Sequence, residues 1–250
     1  MSIRVPLILL TLIATQFLSG CGPGRGEAAT RTRQVVLPNG KAVSLTSMAI
    51  TKSAGDPAID AVIKQASQAD ESVWKAVASS NASITLHYEI RKGLTRDQQA
   101  ERIKRQQLEE WYRTERSEQD KTEAFERQMA LYEAVSAHVA DGTIEAKLRE
   151  LQSAATERIA PAIAAYESLG SALASDDALL RTAAAYSRGV LTGLSGRIPA
   201  AKALFEEAHG YAVRHVSVDI IRQCLRAKDE MDALQKERIM LQLDDRERRQ

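Results

Sequence analysis

The chain has 250 residues, with 34 basic and 33 acidic side chains and a formal net charge of +1. A balanced charge offers no broad positive surface for phosphates, so nucleic acid is not an expected partner. Aromatic residues make up only 4% of the chain, which argues against a surface that stacks bases or sugars. One or two domains of ordinary size can form at this length.

The N-terminal segment 1–20 combines one basic residue, an apolar run and small residues at its end. The apolar run covers residues 5–17, whereas a membrane-spanning helix needs about 20 apolar residues. A basic start, an apolar stretch of this length and a small-residue exit are the three parts of a secretory signal. We therefore predict that residues 1–20 are a cleaved signal peptide.

The end of this segment carries a further pattern. Residues 18–21 read Leu-Ser-Gly-Cys and fit the four lipobox positions, so the segment resembles the signal of a bacterial lipoprotein. The resemblance implies that Cys21 carries diacylglycerol, that the chain is cut before it and that its amino group is acylated. Two or three acyl chains hold a protein at a membrane essentially permanently, since each buried methylene contributes about 0.8 kcal/mol. The alternative is an ordinary cleaved signal with an incidental cysteine.

The residue after Cys21 bears on the compartment that the resemblance implies. It is Gly22 rather than aspartate, which favours the outer membrane, facing the periplasm, with retention in the inner membrane as the alternative. We expect the protein to contact the membrane through its N-terminal lipid.

The second cysteine has a different setting. If Cys21 is lipidated, Cys224 is the only other cysteine and no internal disulfide can form. Cys224 lies at helical spacing among apolar residues, which are Ile220, Ala227, Met231 and Leu234. We predict a thiol buried in the core; the alternative is a disulfide to a second chain.

Two short segments precede the helical part of the chain. Residues 21–33 are the lipidated N-terminus and a predicted flexible tether, about 20 Å long on average, because no apolar side chain larger than alanine occurs in 22–33. Residues 34–54 are predicted to form a small β-hairpin or irregular segment, since two β-prone runs flank the turn cluster Pro38, Asn39 and Gly40.

Helical spacing predicts a helical domain over 55–242. Asp56 is a candidate N-cap and Pro57 suits the first helical position. This helix is expected to weaken at 79–83. Residues 84–90 alternate strictly, as in a strand, yet they also continue the helical stripe; helix is favoured because strand partners would have to come from the hairpin.

A capping-box pattern at Thr95 and Gln98 opens a helix that is predicted to run to about Ala140, on the order of 65 Å. Its heptad seam is apolar at both ends and acidic between them. A helix that is polar all round lies in water or binds something charged. We interpret 96–121 as a solvated face or a partner-binding arm, and the candidate binding residues are Trp111, Glu115 and Glu118.

Four more helices are predicted from residue 143 to about Leu241. Pro161 is expected to break or kink the first of them, and residues 243–250 form a solvated tail. The whole pattern predicts a mainly α fold: an elongated antiparallel bundle of helical hairpins, with one long, partly exposed helix and a small N-terminal β-hairpin. The oligomeric state stays open at this level.

Residues 182–211 resemble one tetratricopeptide unit. The matching residues are Gly189, Gly196, Ala201, Phe205 and Ala208. Arg188 and Thr192 depart from the family, which has a large apolar residue and an aromatic one at these positions. The resemblance implies a grooved surface that binds protein segments, with Tyr186 and His209 as candidate contacts.

The sequence contains few patterns typical of catalysis. Glu206 and His209 have the spacing of metal ligands on one helix face, but no second Glu-x-x-His occurs. No His-Glu-x-x-His, cysteine pair, glycine-rich phosphate loop or Gly-x-Ser-x-Gly is present. Two Glu-Ser pairs, at residues 71–72 and 167–168, resemble the catalytic pair of lytic transglycosylases but lack the segment that follows it in that family. We expect no catalytic residue, metal or cofactor.

These observations favour a non-enzymatic, membrane-anchored lipoprotein that binds another envelope protein as an accessory or scaffold. The alternatives are an exclusion or immunity lipoprotein, and an envelope hydrolase or lipid carrier. A carrier needs an apolar cavity and an enzyme needs polar groups that converge in a cleft.

Overall fold

The computed structural model describes residues 16–18, 27–52, 56–114, 117–174, 177–215 and 218–247. In this part of the chain, three strands precede seven helices. The elements are β1 (Gln16–Leu18), β2 (Glu27–Val36), β3 (Ala42–Lys52), α1 (Pro57–Arg91), α2 (Arg96–Thr114), α3 (Glu118–Asp141), α4 (Ile144–Ala172), α5 (Ala178–Leu194), α6 (Ile198–His215) and α7 (Val218–Glu247). The mainly α fold with an N-terminal β-hairpin is confirmed.

The hairpin is longer than predicted. β2 pairs with β3 from Val36, opposite Ala42, back to Glu27, opposite Lys52, and Gly40 takes the left-handed conformation in the turn (φ 79°). β2 thus begins inside the segment that the sequence predicts as a tether. The reason is packing: Ala28 and Ala29 are buried although they are small, so this polar-looking run still contributes to the core. Residues 22–26 of the predicted tether lie outside the described residues.

Five helices pack in series, in the order α1, α4, α5, α6 and α7, each against the next. The hairpin lies against alternate members of this series, namely α1, α5 and α7. The main hydrophobic cluster joins the hairpin to all five helices. Helices α2 and α3 branch off between α1 and α4, and a second apolar cluster anchors them there.

Helix α1 is continuous through residues 79–83 and 84–90, where the sequence left a weakened helix or a strand open. Neither a weakening at 79–83 nor a strand at 84–90 occurs. Ser80, Ser83 and Ile84 are buried on one helix face, and the Asn81 amide bonds to the β2 backbone at Gln34 and Val36. The polar run therefore stays helical because its side chains are used in tertiary contacts.

The single long helix predicted from residue 95 to 140 is wrong. The chain forms α2 and α3 instead, and they pack against each other. Ser117 caps α3 by accepting a hydrogen bond from the Asp120 backbone N–H (3.2 Å). Gln107 Nε2 donates to the Lys121 carbonyl (3.0 Å) across the pair. Folding back lets the apolar residues of the two halves cover each other, which a straight helix would leave in water.

Pro161 does not end α4, which continues from Ile144 to Ala172. A proline inside a helix removes one hydrogen bond, but Ile159 and Ala162 on either side of it are buried in the main cluster. Tertiary packing therefore holds the helix together here. At the C-terminus, α7 extends to Glu247, into the segment predicted as a tail.

Cys224 is completely buried in α7, which confirms the core thiol. Burial raises the pKa of this thiol to about 12, so it is neither accessible nor ionised at neutral pH. A disulfide from this residue to a second chain would require local unfolding.

The α5–α6 contact depends on a glycine. A Cβ at Gly189 would lie 2.7 Å from Cε1 of the Phe205 ring, whereas a Cβ at Gly170 in α4 would meet nothing within 4 Å. We expect Gly189→Ala to lower the free energy of unfolding by about 1–3 kcal/mol through overpacking. Gly170→Ala, the matched control, should raise it by up to about 1 kcal/mol through helix propensity. Urea denaturation measures both, and equal stability of the two variants would contradict the packing of Phe205 on Gly189.

Candidate protein-binding surface

Helices α2 and α3 form an arm whose base is firmly packed. The buried side chains of the base are Leu86, Ile103, Met129, Tyr132, Val135 and Ile144. Polar contacts add to this packing: the Tyr132 hydroxyl donates to the Leu94 carbonyl (3.2 Å), and Arg96 pairs with Glu133 (3.1 Å). Arg102 of α2 also pairs with Glu89 of α1. The arm is therefore held in a defined position on α1 and α4.

Beyond this base, a groove of about 350 Å³ lies between α2 and α3. Its apolar residues are Leu108, which is 54% exposed, and Phe125, which is partly buried. The other lining residues are Lys104, Gln107, Glu118, Lys121 and Thr122. Glu118 and Lys121 form an ion pair at the edge of the groove. An apolar floor with a charged rim suits a protein segment more than a small polar substrate.

The structure places the predicted binding residues in two separate parts of the fold. Glu118 lines the arm groove. Trp111 belongs to α2, but its side chain lies outside the described residues, as does the whole of Glu115. Tyr186 and His209 belong to α5 and α6, which are not part of the arm.

Tyr186 is a core residue and not a surface contact. Its ring is fully buried and packs against Phe205, with 5.1 Å between ring centroids. Its hydroxyl accepts a hydrogen bond from Gln223 Nε2 (3.0 Å), and burial raises its pKa well above the usual range. The sequence could not separate this buried aromatic from an exposed one, because α5 is apolar on most of its surface. His209 is partly buried on α6.

The residues that resemble a tetratricopeptide unit lie in α5 and α6, which pack against each other. Ala201, Phe205 and Ala208 are fully buried, and Gly196 makes the turn with a φ of 91°. The hairpin packs against α5, where Ser187 Oγ donates to the Met48 carbonyl of β3 (2.8 Å). This face of α5 is therefore covered by the chain's own hairpin.

The residues considered for chemistry are engaged in other contacts. Glu206 pairs with Lys228 (2.9 Å), and this hydrogen bond lowers the pKa of Glu206. Glu167 pairs with Arg188 (3.0 Å). Among the described residues, no group of three or more His, Cys, Asp or Glu side chains is placed to hold a metal ion.

A second, wider cleft of about 530 Å³ lies between α1 and α4. Glu71 and Ser72 line it together with Lys75 and Arg158. The Glu71 carboxylate is 3.2 Å from the Arg33 guanidinium. Glu71 is therefore engaged in an ion pair with the hairpin.

Sequence reasoning missed Lys104, Leu108 and Phe125, which line the groove. The signal that could have revealed them is the cap formed by Ser117 and Asp120, because a helix start at this position divides the predicted long helix in two. Once the two halves fold back, Leu108 and Phe125 face the same groove.

Searches against models of known protein families, curated proteins and solved structures found no match for the chain. Within the described ranges, every helix is too short or too polar to cross a membrane.

Where the hairpin meets α1, a carboxyl group is buried beside it. Burial raises the pKa of Asp70 to about 6, against the opposing effect of the Arg33 charge. The folded protein therefore binds this proton more tightly than the unfolded chain does. Its contribution to stability is present below about pH 4 and is lost as the pH rises to about 6.

We expect Asp70→Asn to stabilise the protein by about 1–3 kcal/mol at pH 7.5, because each unit of pKa shift corresponds to about 1.4 kcal/mol. The gain should disappear at pH 3.5, where the native carboxyl is protonated in both states. Urea denaturation at the two pH values measures it. Asp97→Asn, at an exposed position in α2, is the control. A gain that is equal at both pH values would contradict the buried carboxylate.

Proposed function

We propose that the protein is a membrane-anchored lipoprotein whose α2–α3 arm binds another protein of the cell envelope, as a non-enzymatic accessory or scaffold. The single observation that carries the binding part is the exposed apolar groove at Leu108 and Phe125, set on a rigid base and rimmed by charges. The lipobox at residues 18–21 carries the anchoring part.

The positions of anchor and arm support this combination. β2 starts at Glu27, six residues after Cys21, so the fold begins within about 20 Å of the lipid even if the intervening chain is fully extended. The hairpin runs along α1. The end of the hairpin opposite its turn is linked through residues 53–56 to the start of α1. The turn contacts the C-terminal end of α1, where the Tyr88 hydroxyl donates to the Pro38 carbonyl (2.7 Å). The arm leaves from this far end.

Helix α1 therefore acts as a spacer between membrane and binding site. Its 35 residues correspond to about 50 Å at 1.5 Å per residue. An arm at this distance from the anchored end can meet a partner in the periplasm rather than at the lipid headgroups. A segment with an apolar side chain beside a carboxylate fits the groove, since Leu108 and Phe125 adjoin Lys104.

The anchor is tested by lipid labelling. Cells fed a clickable palmitate should label the wild-type protein and the Cys224→Ser variant, because Cys224 is buried and not acylated. The Cys21→Ser variant should carry no label. Label that persists after Cys21→Ser, or a wild-type protein without label, would overturn the lipoprotein proposal.

The arm is tested by photo-crosslinking in intact cells. A photoreactive amino acid at position 108 should give one discrete adduct with an envelope protein, which mass spectrometry then identifies. The matched control places the same group at Val213 on α6, which is 56% exposed but not part of the arm. Equal adducts from both positions, or none from 108, would remove the arm as the binding site. The identity of the adduct also separates an accessory role from exclusion or immunity.

A further inference from the structure

The outer edge of β2 has a defined set of outward-facing backbone groups. The Gln34 carbonyl accepts from Asn81 Nδ2 (2.7 Å), and the Val36 N–H donates to Asn81 Oδ1 (2.8 Å). Both groups therefore face away from β3. In an antiparallel strand, the N–H and C=O groups of successive residues point to opposite sides. The register of β2 is regular from Ala28 to Val36, since its shift lies between Glu27 and Ala28. The backbone groups of the even-numbered residues from 28 to 36 therefore all point away from β3.

Strand β1 covers part of the edge. Gln16 pairs with Thr30 and Leu18 pairs with Ala28, and these partners are two of the outward-facing residues. β1 lies within residues 1–20, which are cut off if the chain matures as a lipoprotein. The inference below rests on that part of the proposed function. Cleavage would leave the N–H and C=O groups of Ala28 and Thr30 without their strand partner, and such an open edge readily pairs with another strand.

Helix side chains cover other edge positions of the hairpin. On the outer edge of β3, the Thr46 N–H donates to Glu230 Oε2 (2.6 Å) and the Met48 carbonyl accepts from Ser187 Oγ (2.8 Å). On β2, Asn81 bonds to Gln34 and Val36. The groups that cleavage would uncover are those of Ala28 and Thr30, on either side of Ala29.

We propose that a second copy of this chain pairs with the opened edge, antiparallel and centred on Ala29. In this register Ala28 of one copy lies opposite Thr30 of the other. Their outward-facing N–H and C=O groups then bond to each other across the two copies. Ala29 faces its own copy in a non-hydrogen-bonded pair, where the Cα atoms come within about 4.5 Å and small side chains fit best. The stretch is complementary to itself in size.

The test uses a cysteine at the centre of the pairing. In the Ala29→Cys variant, the two introduced cysteines would have Cα atoms about 4.5 Å apart, within the range that a disulfide spans, and the periplasm is oxidising. This substitution should therefore shift the mature, lipidated protein to dimer mobility on a non-reducing gel, and reductant should reverse the shift. Thr32→Cys is the matched control: its two cysteines would be about 20 Å apart at 3.3 Å per residue, so no disulfide should join them and the variant should run as a monomer on the same gel.

Two further variants guard against a folding defect at the buried Ala29. Glu27→Cys with Arg31→Cys leaves Ala29 in place and should also give the dimer, since positions 27 and 31 lie opposite each other in this register. Thr30→Pro, added to Ala29→Cys, should abolish the dimer, because proline removes an outward N–H without removing a β2–β3 hydrogen bond.

The outcomes separate the two proposals. A chain that is cut and lipidated but stays monomeric in both cysteine variants overturns the pairing and leaves the lipoprotein intact. A chain that keeps residues 1–20 overturns the lipoprotein proposal and the free edge together. A disulfide adduct with a different protein overturns self-pairing and assigns the edge to that protein.

Discussion

The fold depends on how the β-hairpin is held to the helices. Three polar side chains from helices that are not consecutive in the packing series bond to its outer backbone groups: Asn81 from α1, Ser187 from α5 and Glu230 from α7. Each hydrogen bond adds little to the net stability, but a buried backbone group without a partner destabilises the fold by about 1–3 kcal/mol. Burial raises the pKa of the Glu230 carboxyl, and the hydrogen bonds from the Thr46 N–H and hydroxyl oppose this shift. The hairpin is thus bound to the helices by its edges as well as by its apolar side chains.

This docking has two consequences for function. First, it covers the face of α5 that carries Ser187, so this face is not open to a partner. Second, it ties β2, which starts six residues after the proposed lipid attachment site, to the body of the protein. A lipid at Cys21 would then orient the helices at the membrane, rather than hold them on a long, flexible chain.

The parts of this architecture that the sequence predicted are those set by local patterns. The turn at Pro38, Asn39 and Gly40 gave the hairpin, and apolar spacing gave the helical class and the buried Cys224. The errors occurred where tertiary contacts decide. The run around Asn81 looks like a helix break until β2 supplies partners for its side chains, and Pro161 looks like a stop until the packing on both sides is known.

The residues of the candidate site were also mispredicted where the arrangement of helices decides. Heptad spacing drew attention to Glu118, which lines the groove, but the prediction of one helix over 95–140 could not bring Leu108 and Phe125 together. Tyr186 was misplaced for a related reason, because an apolar helix with small residues on several faces does not reveal which face is covered. Both errors concern the arrangement of helices in space, and a single sequence contains little information about it.

The hairpin is an integral part of the folded body. Native-state hydrogen exchange on the Val36 and Thr46 amides tests it directly, because both donate to helix side chains and not to a neighbouring strand. If the hairpin is docked as described, these amides exchange only through global unfolding, with a free energy equal to that from urea denaturation. Exchange at the rate of an unstructured peptide, in a protein whose helices remain protected, would contradict the account.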